Sequence, residues 1–299
     1  MKISVSSYSF SQYIKAGKMT QFDTIAKAKE IGFDAIEFTN IIENPNVDIT
    51  EQNLEKQIEL AKKYKEEASR LGMDINAYTI GANMCMETDY QDDMEFLRLK
   101  GQLEVAKTLG AKVMRHDALF RLNRFRSFDL AIHTLANNFR RVTEYAQTLG
   151  IKTCFENHGH ICQDYDRVEK LFNAINHNNF GLLLDMGNFL CADNDPVMAY
   201  SRLAPYAIHA HAKDFTYIKG TEPKPEDAGY TRGCNYIIGK PVGEGSVPVK
   251  QCIKILKTAG YNGYLSIEFE GKEDCIEGIT RAYNNLKRFV SEVESELSK

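Results

Sequence analysis

The sequence predicts an α/β chain folded as a single-domain (β/α)8 TIM barrel, and three observations predict it. A helix–glycine–strand punctuation recurs five times, at E-I-G-F-D-A-I-E, R-L-G-M-D-I-N, T-L-G-A-K-V-M, T-L-G-I-K-T-C and T-A-G-Y-N-G-Y-L. Glycine just past a helix takes left-handed backbone without a Cβ penalty and closes the last carbonyls. Eight short β-rich runs alternate with eight amphipathic segments over 299 residues, the alternation and length of an eightfold barrel. A doubly wound open sheet would carry a glycine-rich phosphate turn after its first strand, and here that stretch reads S-S-Y-S-F-S-Q-Y.

The elements follow in order. Strand one lies near Ile3 to Ser7, and a helix over Gln21 to Ile31 ends at the first of these glycines. Strand two (Ala35 to Phe38), a helix over Glu51 to Leu71 and strand three (Asp74 to Tyr78) repeat the unit. Helix Asp92 to Leu109 leads to strand four (Lys112 to His116), and helix Phe128 to Leu149 to strand five (Lys152 to Glu156). Helix Asp166 to Ile175 and strand six (Gly181 to Asp185) come next, then a shorter helix after Pro196 and strand seven (Ile208 to Lys213). Helix Val249 to Ala259, strand eight (Tyr264 to Phe269) and helix Asp274 to Val290 close the count. No linker separates two regimes of composition, so one domain is expected. The exception to the rhythm is Tyr217 to Pro248, an irregular stretch holding four of the seven prolines. It falls on the face where barrels carry their chemistry, and a loop this long inside a compact domain reads as a lid.

Composition bounds the function. Hydrophobic residues make up 43% and charged residues 26%, with a formal charge of −4 and no Lys/Arg block, so neither nucleic acid nor an anionic membrane is an expected partner. The seven cysteines are dispersed and never spaced C-x-x-C, which fits reduced thiols rather than a disulfide framework or zinc knuckle. The start, M-K-I-S-V-S-S-Y-S-F, is too short and polar for a signal peptide, and no apolar run approaches the roughly 18 residues of a membrane span. The expectation is a cytoplasmic protein.

Four residues carry the chemistry. Glu156, Asp185, His211 and Glu268 each close, or nearly close, a buried-strand pattern: T-C-F-E, L-L-L-D, I-H-A-H and L-S-I-E. A lone acid at a strand end is more often a helix cap, but four at consecutive strand ends converge on one mouth of a barrel. Buried carboxylates without partners are costly, so such a set calls for a cation. Oxygen-rich ligation with one nitrogen favours one divalent ion, Mn²⁺ first, with Mg²⁺, Co²⁺ or Zn²⁺ as alternatives. His209 shares a face with His211 but sits a layer lower, and Glu270 shares a face with Glu268 but precedes Gly271. Around them, Glu37, His116, His158, Asn188, Lys213 and Arg232 are candidates for substrate contacts, and the G-E-G at 243–245 offers backbone for a phosphate.

These motifs resemble a known group. S-x-S-F near the start, G-F-D-A-I-E-F, F-E-N-H-G, L-L-D-M-G-N, H-A-H-A-K-D, V-G-E-G and G-Y-N-G-Y-L-S-I-E together look like the xylose isomerase-like superfamily. Within it they resemble the sugar phosphate isomerase/epimerase group, which includes tagatose/psicose 3-epimerases and inosose-processing enzymes. The resemblance implies that Glu156, Asp185, His211 and Glu268 ligate one divalent metal and that Glu156 and Glu268 double as the acid/base pair. It implies a small-molecule sugar or polyol substrate, an isomerase or epimerase activity, and often a homo-oligomer. Relatives that dehydrate keto-inositols or cleave 3-keto-glycosides, including C-glycosides, share the first step. The chain departs from the pattern where many members carry a histidine three residues after the strand-six aspartate; Asn188 stands there. The arginine that several epimerases place soon after the strand-seven histidine is replaced by Lys213 and Asp214, and the nearest arginine is Arg232. An AP endonuclease IV-like nuclease would need further histidines at strand six and beyond, and the negative charge disfavours DNA. Intact paired glutamates weigh against a non-catalytic sugar-binding barrel.

Overall fold

In the computed structural model, which describes residues 1–44 and 46–298, eight parallel strands close on themselves in the order β1-β11-β7-β6-β5-β4-β3-β2. These are β1 (Lys2–Ser6), β2 (Ala35–Thr39), β3 (Asp74–Ile80), β4 (Val113–His116), β5 (Lys152–Glu156), β6 (Phe180–Asp185), β7 (Ala207–Ala212) and β11 (Tyr264–Ile267). Around them run α1 (Ser11–Lys15), α2 (Asp23–Ile31), α3 (Leu54–Arg70), α4 (Asp89–Leu109), α5 (Phe128–Thr148), α6 (Tyr165–Ile175), α7 (Asn188–Cys191), α8 (Pro196–Leu203), α9 (Val249–Thr258) and α10 (Cys275–Leu297). Every predicted strand and helix is present, with ends displaced by a few residues. The largest extension is α10, which runs on past Val290.

Local chemistry sets the boundaries. Side chains of Asn53, Thr88, Ser127, Asp164, Asp195 and Asp274 accept backbone N–H groups at the starts of α3, α4, α5, α6, α8 and α10. Gly32 and Gly110 stop α2 and α4 at φ 113° and 84°, and the other three glycines of the repeated punctuation also have positive φ. Apolar residues fill the layer between strands and helices, among them Phe38, Tyr78, Phe139, Phe155 and Leu182. The inside of the barrel is unusually polar. Ser6 and Thr39 hydroxyls lie 3.0 Å apart, Thr39 and Thr79 2.9 Å apart, and Glu37 stands beside them. Barrels more often fill this space with branched apolar side chains.

The stretch read as an irregular lid is ordered instead. β8 (Asp214–Ile218), β9 (Gly229–Tyr230) and β10 (Tyr236–Lys240) form an antiparallel sheet in the order β8-β10-β9. The prolines that suggested irregularity sit outside its strands, Pro223 and Pro225 between β8 and β9 and Pro241 just after β10. The sheet is fastened to the barrel. Asp193 accepts from Tyr217 Oη (3.0 Å) and Asn235 Nδ2 (2.8 Å), and Arg232 donates to Asp164 (2.7 Å) and the His160 carbonyl (3.1 Å). Arg232 therefore acts as a clasp: its guanidinium binds groups of the loops after β5 and β6 rather than turning freely into the mouth. Arg232→Ala is expected to cost about 1–2 kcal/mol in thermal unfolding, the worth of one or two such bonds, while substrate turnover stays within about threefold. A large drop in kcat with unchanged melting would return Arg232 to the substrate.

Among the described residues, no helix is long and apolar enough to cross a membrane, and all seven cysteines are free thiols.

Candidate metal centre and active site

Register brings the four strand-end residues together. Asp185 pairs with His211 across β6 and β7, and Ser266, two residues before Glu268, pairs with His211 across β11 and β7. In-register neighbours of a parallel sheet point to the same side, so all three side chains enter the barrel mouth. Glu156 ends β5 beside them. His211 Nδ1 lies 3.8 Å from Glu156 Oε1, 3.7 Å from Asp185 Oδ2 and 3.7 Å from Glu268 Oε2. One ligand atom from each of the four falls within 4.8 Å of every other. Oxygen and nitrogen atoms bound about 2.0–2.2 Å from a shared ion stand roughly 3–4 Å apart, so the spacing fits.

Two orphaned atoms sharpen the fit. Asp185 Oδ1 accepts from the N–H groups of Gly187 (2.8 Å) and Asn188 (2.9 Å), which leaves Oδ2 buried without a hydrogen bond. His211 turns Nε2 to Glu37, 3.0 and 3.1 Å from its two oxygens, and leaves Nδ1 buried and unpaired toward the cluster. A hydrogen bond from Nε2–H to a carboxylate fixes the tautomer with its lone pair on Nδ1, the arrangement of a metal-ligating histidine. Buried polar atoms without partners are rare, and both point into one shared space.

Glu37 therefore supports the centre rather than the substrate. It is fully buried beneath the cluster, with His209 Nε2 2.5 Å from Oε2. Burial alone would raise its carboxyl; the His211 and His209 rings reverse this and hold it well below the carboxylate range. The expectation that it meets sugar hydroxyls fails because both oxygens are taken. Glu37→Gln is expected to weaken metal binding about 10- to 100-fold in chelator competition, and an unchanged affinity would refute the positioning role.

Around the mouth the sequence pointed to some of the right residues for different reasons. Asn188, buried, uses both ends of its amide within the protein: Nδ2 donates to Glu156 Oε1 (2.6 Å) and Oδ1 accepts from Lys213 Nζ (3.2 Å). Lys213, also buried, contacts Glu268 Oε2 directly and lies 3.4 Å from both Asp185 Oδ2 and Glu270 Oε1. Neither offers a free group to substrate; they tie the two glutamates into one network. Burial pushes up the Glu268 carboxyl, but Lys213 and His211 pull it well below its ordinary value. Glu156 goes the other way, raised by burial that Arg115 only partly offsets.

His116 is misplaced by the sequence reading. It points out of the barrel, stacked on Phe139 of α5 with ring centroids 4.8 Å apart, and burial lowers its pKa to about 4. Its neighbour Arg115 faces inward instead. It lies 2.6 Å from both Glu156 Oε2 and Asp117 Oδ1, and Asp117 Oδ1 stands 2.9 Å from His158 Nδ1. Burial lowers His158 and the Asp117 contact more than restores it, so the net shift is upward. His158 keeps a side chain 39% exposed at the rim, edge-on to Phe120 at 5.4 Å.

The glycines at 243 and 245 do not await a phosphate. Their N–H groups donate to Asp214 Oδ2 at 2.9 Å each, and Val247 N–H donates to Asp214 Oδ1 at 3.0 Å.

An eight-stranded parallel barrel with a carboxylate–imidazole cluster at its C-terminal mouth defines the class. Residues 25–289 match the xylose isomerase-like TIM barrel family, and the chain belongs to that family. Over 138 residues it is 25% identical to inosose dehydratase of Clostridium perfringens, 46% of each chain, so it spans about half the length of the curated relatives it matches. The solved L-ribulose 3-epimerase superposes with a TM-score of 0.72 at 16% identity, over 99% of this chain and 97% of that one. The IOLI protein, solved with a zinc atom, gives 0.69 at 18% identity, over 98% and 99%. At these identities the structural likeness is one of fold.

Proposed function

We propose that the protein is a divalent-metal-dependent isomerase or epimerase that removes and returns a proton next to the carbonyl of a keto-sugar or related polyol. The observation that carries this reading is the convergence of His211 Nδ1 and three carboxylate oxygens at 3.7–3.8 Å, two of the four atoms buried without a hydrogen bond. Glu156, Asp185, His211 and Glu268 would hold the ion, with Mn²⁺ favoured and the zinc of the IOLI protein supporting a divalent ion in general. When bound, the ion supplies Lewis-acid stabilisation of charge developing on a carbonyl oxygen.

The chain's own residues do the rest. Glu268, in contact with the Lys213 ammonium, is kept ionised and takes the proton at a carboxylate oxygen. Glu156, held from two sides by Arg115 and Asn188, stands across the cluster and gives a proton back. The Asp117-supported His158 at the rim orients a substrate hydroxyl, and the β8-β10-β9 sheet walls one side of the mouth. Acid–base catalysis of this kind is worth about 10²- to 10⁴-fold.

A second reading, dehydration by a lyase of the same family, is favoured by the curated relatives named inosose dehydratase. Both begin with the same abstraction. A cytoplasmic setting, with neither nucleic acid nor membrane as partner, belongs to this proposal and fits the dispersed free thiols. The test is metal analysis of the purified protein, then NMR in deuterated water across a panel of keto-sugars and inososes. Metal-dependent C–H exchange with conserved mass is expected; loss of water would favour the lyase. No exchange on any member by metal-loaded protein would end both readings.

A further inference from the structure

Barrels commonly bind a substrate phosphate on backbone N–H groups after strand seven, and successive N–H groups in a turn form a nest that accepts anions. This chain has the nest and fills it with its own carboxylate. Asp214, buried, accepts from Phe215 N–H (2.9 Å) and Val247 N–H (3.0 Å) on Oδ1 and from Gly243 and Gly245 N–H (2.9 Å each) on Oδ2. Four donors meet two oxygens, and an added Cβ at Gly245 would fall 2.3 Å from Asp214 Oδ1, so no second anion fits between them.

The cations of the mouth are paired with carboxylates as well. Arg115 touches Asp117 and Glu156, and Lys213 touches Glu268 with Asp185 and Glu270 at 3.4 Å. Five carboxylates thus surround two permanent cations, and neither cation is left without a carboxylate partner. His158, when protonated, is already paired with Asp117. A phosphorylated or carboxylated substrate would meet carboxylates that outnumber the permanent cations, and like charges so placed oppose binding.

We infer that the site takes an uncharged keto-polyol and that Asp214, by occupying the nest after the seventh barrel strand, denies a phosphate its anchor. The inference rests on the proton-abstraction reading and narrows its substrate class.

The metal-loaded protein is presented with fructose, psicose and sorbitol, each beside its 6-phosphate. Saturation-transfer NMR reads binding, which needs no turnover, and deuterium incorporation reads exchange on the two ketoses. In each pair with a response, the free member is expected to bind or exchange on the order of 100-fold better. A pair in which the phosphorylated member wins or draws level overturns the inference while leaving proton abstraction standing; the exposed Arg121 would then be the first place to seek its contact. No binding by either member of any pair overturns both. In a parallel arm, inorganic phosphate is expected to raise the melting temperature of Asp214→Ser, whose nest is vacated, and not that of the wild type. A phosphate response in the wild type refutes the inference even if the variant fails to fold.

Discussion

Replacing Glu268 or Glu156 by glutamine is expected to abolish exchange of substrate C–H with solvent, a loss of at least about 10²- to 10⁴-fold. The substitution keeps volume and hydrogen-bonding atoms while removing the one property the reaction needs, a carboxylate that accepts and returns a proton. The two variants should differ in how they tolerate the change. In Glu268→Gln the Lys213 ammonium keeps Asp185 and Glu270 at 3.4 Å, so the network loses one of its three carboxylates. In Glu156→Gln, Arg115 keeps Asp117, and the carbonyl oxygen of the new amide can still accept from either Arg115 or Asn188. Both variants should therefore fold. Each also removes a candidate ligand, so exchange is measured at saturating metal, with bound metal quantified in the same sample. Undiminished exchange in either would remove that glutamate from the chemistry, and loss of metal without recovery at saturation would assign it to binding alone.

Much of this was legible because it depends on periodicity and strand ends. The five glycine stops, the eight strands and the convergence of Glu156, Asp185, His211 and Glu268 follow from local pattern plus the geometry of a closed barrel. What was missed depends on which way a side chain points. His116 drew attention as a titratable group at a strand end, yet V-M-R-H alternates: Met114 is fully buried toward the helices, so His116 shares its outward face and Arg115 turns in. The alternation of V-M-R-H carries that signal in the sequence itself. Glu37 is different, since nothing local says that an acid on β2 will reach across the barrel to two histidines on β7. The fate of Asp214 was equally hidden, because its partners lie about thirty residues downstream. The β8-β10-β9 sheet was obscured by its prolines, which mark the turns and not the strands.

The other large effect is on stability. Arg115→Met is expected to destabilise the fold by about 3–5 kcal/mol at pH 7, the usual consequence of removing one partner from a buried ion pair. Methionine fills most of the volume, so the cost is electrostatic: Asp117 and Glu156, both nearly fully buried, are left without their shared cation. The sign of the pH dependence separates this from a packing defect. In the wild type, burial raises Asp117 but Arg115 and then His158 bring it net below its ordinary range. A lowered carboxyl contributes stability that is present above the unfolded value, about 3.9, and is lost as pH falls through the folded one. Without Arg115 no guanidinium opposes the effect of burial, so both carboxyls rise and take up protons before the unfolded chain does. Acidification to pH 4.5 then relieves the variant while it leaves the wild type's Asp117 contribution in place, so the difference between them should shrink from pH 7 toward pH 4.5. Urea unfolding at the two pH values reads it directly. A constant difference would mean that the guanidinium acts by packing alone. Adding Asp117→Asn to Arg115→Met should recover part of the loss at pH 7, since one of the two stranded charges goes with it.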